Sequence, residues 1–82
     1  MMELSVRFFA LYRERAGLNE TLFYLPQDAT VADLTDAVRR RFPYLAPPQV
    51  NIVVAVNAGY AEPETVLKLG DDVCLIPPVS GG

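Results

Sequence analysis

The fold is decided by one stretch of the chain, residues 30–42, which has the sequence TVADLTDAVRRRF. Apolar residues recur in it three or four positions apart, the spacing of one face of an α-helix. These residues are Val31, Leu34, Val38 and Phe42, with Ala37 on the same side. Thr30 followed by Asp33 resembles a capping box, with Asp in place of the usual Glu or Gln, and Pro43 prevents the helix from continuing. The stretch therefore predicts a helix with one face on a core.

Short apolar stretches on both sides of this helix predict strands. Residues 4–9 alternate as a half-buried strand does, residues 11–16 fit a short helical turn ended by Gly17, and residues 20–25 form a second strand. After the helix, residues 50–56 are apolar enough to predict a central strand covered on both faces. A short edge segment at 60–62 and a last strand at 73–76 complete an α+β arrangement. It is a mixed sheet of about five strands with one main crossover helix.

Composition excludes several classes of protein. Seven basic and ten acidic residues give a net charge of −3, whereas binding to a phosphate backbone requires a basic patch. No run approaches the roughly 18 apolar residues of a membrane span, and the first residues lack the pattern of a secretory signal, so we expect a cytoplasmic location. The chain has no histidine, which removes Ser-His, Cys-His and His-metal sites, and no metal site is predicted. The single cysteine, Cys74, lies in an apolar strand and is expected to be a small buried hydrophobic residue.

The segment after the last strand carries the most distinctive chemistry. It has the sequence Pro77-Pro78-Val79-Ser80-Gly81-Gly82. Two prolines cannot continue a central strand, so we divide the chain into a folded domain, residues 1–76, and a flexible tail, residues 77–82. Glycine has no Cβ, so the tail could enter a channel too narrow for other residues. A carboxylate is a poor electrophile at neutral pH. Conversion to an acyl-adenylate would make it an acyl donor, from which a sulfur nucleophile could displace AMP.

Six segments, in order along nearly the whole chain, resemble the small-subunit family of molybdopterin synthase, the MoaD-type ubiquitin-like sulfur carriers. They are Val6-Arg7-Phe8-Phe9-Ala10-Leu11, Arg13-Glu14, Thr30-Val31-Ala32-Asp33-Leu34, Ala55-Val56-Asn57, Gly70-Asp71-Asp72-Val73 and Ile76-Pro77-Pro78-Val79-Ser80-Gly81-Gly82. The last segment is the most specific. The resemblance implies the ubiquitin-like β-grasp fold, which agrees with the predicted order of elements.

The resemblance also implies a function, that of a sulfur carrier in molybdenum cofactor biosynthesis. An adenylating enzyme of the ubiquitin-activating type would use ATP and Mg²⁺ to form a glycyl adenylate at Gly82, and a sulfurtransferase system would convert it to a thiocarboxylate, a 1-thioglycine. The tail residues Pro78, Val79, Ser80 and Gly81 would then enter the large subunit, where sulfur passes to cyclic pyranopterin monophosphate. The family implies a heterotetramer of two large and two small subunits. It implies no bound cofactor on this chain and catalytic residues on the large subunit.

By position in the family, the contact surface for the large subunit falls at Phe9, Tyr60 and Ile76, on the sheet face away from the helix. The residues themselves leave open whether Phe9 and Ile76 pack internally instead. Three other functions also stay open. They are a sulfur carrier for the thiazole ring of thiamine, a ubiquitin-like modifier that joins Gly82 to lysines of other proteins, and a β-grasp interaction module with an inert tail.

Overall fold

The computed structural model describes residues 1–78, in which five strands and two helices are formed. The elements are β1 (Met2–Phe8), α1 (Ala10–Ala16), β2 (Glu20–Leu25), α2 (Val31–Arg41), β3 (Val53–Val56), β4 (Gly59–Tyr60) and β5 (Val73–Ile76). The strands lie in the order β2-β1-β5-β3-β4. Strands β1 and β5 run parallel and the other neighbouring pairs are antiparallel. The predicted α+β architecture, a mixed sheet with one main crossover helix, is confirmed.

The helix α2 begins where the capping box predicts. The Thr30 hydroxyl accepts a hydrogen bond from the Asp33 backbone N–H at 3.2 Å, and the Asp33 carboxylate accepts one from the Thr30 N–H at 2.9 Å. Aspartate therefore performs the role that Glu or Gln usually has, satisfying two N–H groups that the first turn leaves without helical partners. Phe42 ends the helix, and its N–H still donates to the carbonyl of Val38 at 2.8 Å.

Alternate residues of β1 face α2 and form the core. Met2, Leu4, Val6 and Phe8 are buried, and the residues between them are exposed. The register continues this face across the sheet, because Val6 pairs with Val73 and Phe8 with Leu75. The rings of Phe8 and Phe42 meet edge to face with centroids 5.2 Å apart, which fixes the end of α2 against β1.

The third strand was predicted wrongly in its starting residue and in the covering of its two faces. It begins at Val53 rather than at Val50, because the Val50 N–H closes a turn onto the carbonyl of Pro47. It is an interior strand of the sheet, as predicted, with β5 on one side and β4 on the other, but within residues 1–78 only one of its faces is covered by a helix. Among the described residues, no second layer covers its face away from α2. Its apolar residues on that face belong to an open surface rather than to a core.

The edge strand β4 is also displaced from its predicted place at 60–62. Asn57 and Ala58 have φ angles of 52° and 70°, the left-handed pair that a two-residue hairpin turn of type I′ requires. Val56 is consequently paired with Gly59, so the strand starts at Gly59. The turn is held by the Asn57 side chain, which donates to Asp71 at 3.0 Å and accepts from the Asp72 backbone N–H at 2.9 Å.

Two arginines at the end of α2 fasten neighbouring segments to the helix. Arg39 donates to the carbonyls of Ala46, Pro47 and Val50, which holds the loop before β3. Arg41 donates to the Leu22 carbonyl and to the Thr21 hydroxyl, both at 2.8 Å, and so covers part of the free edge of β2. Cations in the last turn of a helix interact favourably with its dipole, and here they also make direct hydrogen bonds that the sequence did not predict.

The last strand ends at Ile76, where the sequence places the end of the folded domain. Residues 79–82 lie outside the described residues, so the division into a domain at 1–76 and a tail at 77–82 stays a prediction. Neither helix within residues 1–78 is long and apolar enough to cross a membrane.

Candidate functional site

The sheet face opposite α2, called here the outer face, carries a row of side chains in register. Arg7 of β1 pairs with Cys74 of β5, Cys74 with Ala55 of β3, and Ala55 with Tyr60 of β4. Because side chains alternate along a strand, these residues point away from the core that their neighbours form. The row therefore spans four strands on the face that α2 does not cover.

A concave surface, the outer groove, is built on this row. It has a volume of about 330 Å³ and is lined by Arg7, Phe9, Ala55, Ala58, Tyr60, Asp72, Cys74 and Ile76. Most of these side chains are apolar or small, and the two charged ones lie at one rim. A larger concavity of about 570 Å³ lies over β1 and β2, but β1 separates it from the strand that leads into the tail. The outer groove is thus the concavity next to the chain's distinctive segment.

All three residues predicted for the partner surface line the outer groove. Phe9 is 42% exposed and Tyr60 80% exposed, while Ile76 is half-buried. Phe9 lies one residue beyond β1, at the N-cap of α1, and its extended backbone donates its N–H to the carbonyl of Leu75 at 3.1 Å. That bond keeps its ring beside β5. The structure brings the three residues together, and their role in binding a partner stays a prediction.

Cys74 is buried, at 8% exposed, as expected, and it lies on the outer face of the sheet. Its neighbours Val73 and Leu75 point into the core, so alternation along β5 directs Cys74 to the outer face. There it forms part of the floor of the outer groove instead of packing under α2. The prediction that Cys74 is a small buried residue is confirmed, and the structure adds that it is buried on the outer face.

The charged rim of the outer groove is a single ion pair. The Arg7 guanidinium donates to the Asp72 carboxylate at 2.7 Å, and both side chains are about half exposed. The guanidinium carbon also lies 5.9 Å from the centroid of the Phe9 ring, within the range of a cation–π contact. Electrostatic interaction with Cys74, and then with Asp72, raises the pKa of Arg7.

The tail begins directly at the outer groove. Ile76 lines it, Pro77 is half-buried and Pro78 is exposed. The predicted tail residues Val79, Ser80, Gly81 and Gly82 lie outside the described residues. Sequence reasoning missed Arg7, Ala55 and Asp72 as groove residues. The strand alternation could have assigned them to the outer face, but only the strand order shows that they are neighbours.

Within residues 1–78, no three side chains able to bind a metal ion lie together. The described site has the properties of a binding surface. It is apolar at its floor, carries one ion pair at its rim, and is continuous with a narrow C-terminal segment.

Comparison with known proteins places the chain among relatives of known family. The model of the ThiS family matches residues 6–82. The chain belongs to the ThiS family. A further relative is the molybdopterin synthase sulfur carrier subunit of Chlamydomonas reinhardtii, which is 40% identical over 83 residues, with 99% of this chain and 100% of the relative covered. The resemblance inferred from the sequence motifs is thereby confirmed.

Two solved structures show the relationship of this ThiS-family chain in three dimensions. SAMP1 of Haloferax volcanii, a small archaeal modifier protein, is 31% identical with a TM-score of 0.83, over 98% of this chain and 99% of that chain. A complex of subunits 1 and 2 of the molybdopterin-converting factor of Helicobacter pylori contains a chain that is 27% identical, with a TM-score of 0.68, over 99% of this chain and 100% of that chain. The fold is accordingly the ubiquitin-like β-grasp.

Proposed function

We propose that this chain is the sulfur carrier subunit of molybdopterin synthase. The observation that carries the proposal is the position of the outer groove, an apolar surface at the end of the strand that runs into Pro77-Pro78-Val79-Ser80-Gly81-Gly82. A tail of this kind buries little area, so a carrier needs a surface on the folded domain to hold it in place. The family membership and the name of the Chlamydomonas relative support the same function.

The chemistry takes place at the carboxylate of Gly82. One of its oxygens attacks the α-phosphate of ATP on an adenylating enzyme of the ubiquitin-activating type, with Mg²⁺, and pyrophosphate leaves. Sulfur delivered by a sulfurtransferase system then displaces AMP and leaves a thiocarboxylate. The chain itself contributes the unhindered carbonyl of a Gly-Gly end, since neither glycine has a Cβ to obstruct the attack.

The partner proposed for the outer groove is the large subunit of molybdopterin synthase. Aromatic residues commonly dominate the energy of such interfaces, and Phe9 and Tyr60 are the exposed aromatic residues of the groove. The likeness to a chain that forms a complex of the two subunits of molybdopterin-converting factor supports this choice. Sulfur would then pass to cyclic pyranopterin monophosphate on the large subunit, in a cytoplasmic assembly of two large and two small subunits.

Reconstitution tests the proposed function. The thiocarboxylated full-length chain, the large subunit from the same organism and cyclic pyranopterin monophosphate should together yield molybdopterin. Removal of Gly82, or Gly81→Val, should abolish the product while changing the free energy of unfolding by only about 0.5 kcal/mol or less, because the tail is predicted to lie outside the folded domain. The matched control is Tyr44→Ala, at a side chain that is 87% exposed and does not line the outer groove, and it should leave the yield unchanged.

Two results would contradict the proposal. One is molybdopterin formation by the chain that lacks Gly82, because the tail would then have no chemical role. The other is sulfur found only on Cys74 by mass spectrometry under activating conditions. A chain that forms the thiocarboxylate but yields no molybdopterin with the large subunit would instead be a carrier for a different sulfur acceptor, such as a thiazole precursor.

A second candidate function, protein modification, is favoured by the similarity to SAMP1. In that case, Gly82 would form amide bonds with lysines of other proteins. The only lysine of this chain is Lys68, so trypsin would leave residues 69–82 attached to each modified lysine. Peptides carrying this remnant, absent when Gly82 is deleted, would support the modifier function.

A further inference from the structure

The outer groove continues past Phe9 into a second, shallower concavity at the start of α1. This α1 cleft has a volume of about 390 Å³ and is lined by Arg7, Phe8, Phe9, Ala10, Arg13 and Asn19. Two arginines line it and no carboxylate does. The outer groove adds only Asp72, which is already paired with Arg7. The combined surface therefore has a net positive charge, on a chain whose net charge is −3.

Arg13 is the cation that gives this surface its charge. Arg7 bonds to a carboxylate, and Arg15, Arg39 and Arg41 donate to backbone carbonyls. Within the described part of the chain, only the remaining two arginine side chains, those of Arg13 and Arg40, make no hydrogen bond or ion pair. Arg13 lies in α1 and lines the α1 cleft together with Phe9, the N-cap residue of that helix.

The surroundings of Arg40 are different. It lines a concavity together with Asp28, Asp33 and Asp36, so its charge lies within an acidic surface. The charge of Arg13 has no such compensation in the α1 cleft. A guanidinium next to a half-exposed aromatic ring and without a carboxylate is suited to bind a carboxylate of another molecule, because its planar set of N–H donors can form two parallel hydrogen bonds to it.

We propose that the partner-binding surface extends from the outer groove onto Arg13, and that the partner places an acidic side chain there. The occupant is a protein segment with an apolar side chain against Phe9 and Tyr60 and an Asp or Glu against Arg13. This inference rests on the proposed function, which makes the large subunit of molybdopterin synthase the partner. A nucleic acid fits less well, since the positive charge is confined to one end of a surface whose floor is apolar.

Binding kinetics distinguish the charge contact at Arg13 from the apolar contacts at Phe9 and Tyr60. A charge at the rim of an interface acts mainly on the association rate and on its dependence on salt. With the full-length chain and the large subunit, Arg13→Glu should slow association about tenfold in low salt, and the difference should shrink in about 1 M salt, where charges are screened beyond roughly 3 Å. Arg13→Lys should retain most of the association rate. Arg40→Glu, the matched control, should associate at the wild-type rate.

Each result is decisive. If Phe9→Ala weakens binding while Arg13→Glu binds at the wild-type rate in low salt, the acidic contact is refuted and the proposed function stands. If the wild-type chain does not bind the large subunit at all, both proposals fail. A salt-sensitive dimer of the chain alone that is lost in Arg13→Glu would assign the surface to self-association and also overturn the proposal. Urea unfolding of each variant verifies that the exposed substitutions leave the fold intact.

Discussion

Adjacent phenylalanines on opposite faces of the sheet allow the core and the outer groove to be tested separately. Phe8 is 2% exposed and packs edge to face against Phe42, so Phe8→Ala leaves a cavity and should cost about 3–5 kcal/mol. Phe9 is 42% exposed, so Phe9→Ala loses roughly half of the apolar burial of a phenylalanine and a weak contact with Arg7. The substitution should lower the free energy of unfolding by about 1–2 kcal/mol. The entire stability of a domain of this size is about 4–12 kcal/mol, so the two variants should be clearly separated.

Urea unfolding followed by circular dichroism measures the stability difference, and titration with the large subunit measures binding on the same proteins. Phe9→Ala should weaken binding by about 1–3 kcal/mol. If Phe8→Ala does not fold, the pair Phe8→Leu and Phe9→Leu gives the same comparison with a smaller loss. Equal destabilisation by the two alanine variants, with binding by Phe9→Ala unchanged, would show that Phe9 is a core residue and that the outer groove is not the docking surface.

Three further predictions concern the fold. Arg41→Ala should cost about 1–2 kcal/mol in urea unfolding, because Arg41 donates to two groups of β2 and lies over Phe23 at 5.0 Å; Arg41→Lys, which lacks the planar fork, should restore little of it. Thr30→Ala should cost about 1 kcal/mol through loss of the helix cap, whereas Thr30→Ser should cost less. Burial raises the pKa of Tyr12, so this residue contributes stability below the ordinary tyrosine pKa of about 10, and that contribution is lost as the pH rises through the raised pKa. Tyr12→Phe should therefore lose less stability than the wild type when urea unfolding is repeated at alkaline pH. Equal losses of stability in the two proteins would contradict this.

The helix α2 and the first two strands could be predicted because their signals are local. The capping box, the helical spacing and Pro43 all act within one stretch of chain, so Thr30 and Phe42 bound the helix in the structure as they do in the sequence. The alternation of residues 4–9 likewise depends only on neighbouring residues. For these elements, tertiary contacts reinforce what the local sequence already favours.

The groove residues could not be predicted from local signals. Arg7, Cys74, Ala55 and Tyr60 come from four strands, and they form a row only because β5 lies between β1 and β3. Loop length and local periodicity do not determine that insertion. The hydrogen bonds of Arg39 and Arg41 escape prediction for a similar reason, since each joins α2 to a segment that is distant along the chain.

The error at β3 shows how an apolar strand should be interpreted in a small domain. Apolar residues at every position usually indicate a strand buried on both faces. Here one helix, α2, has 11 residues and is about 16 Å long, enough to cover one face of a small sheet. The chain offers only the seven-residue α1 besides it within the described region, and Tyr12 of α1 packs into the same core. Within residues 1–78, the outer face of β3 and β5 therefore has no covering layer, and an apolar strand in a small domain can belong to a surface suited to binding rather than to a second core.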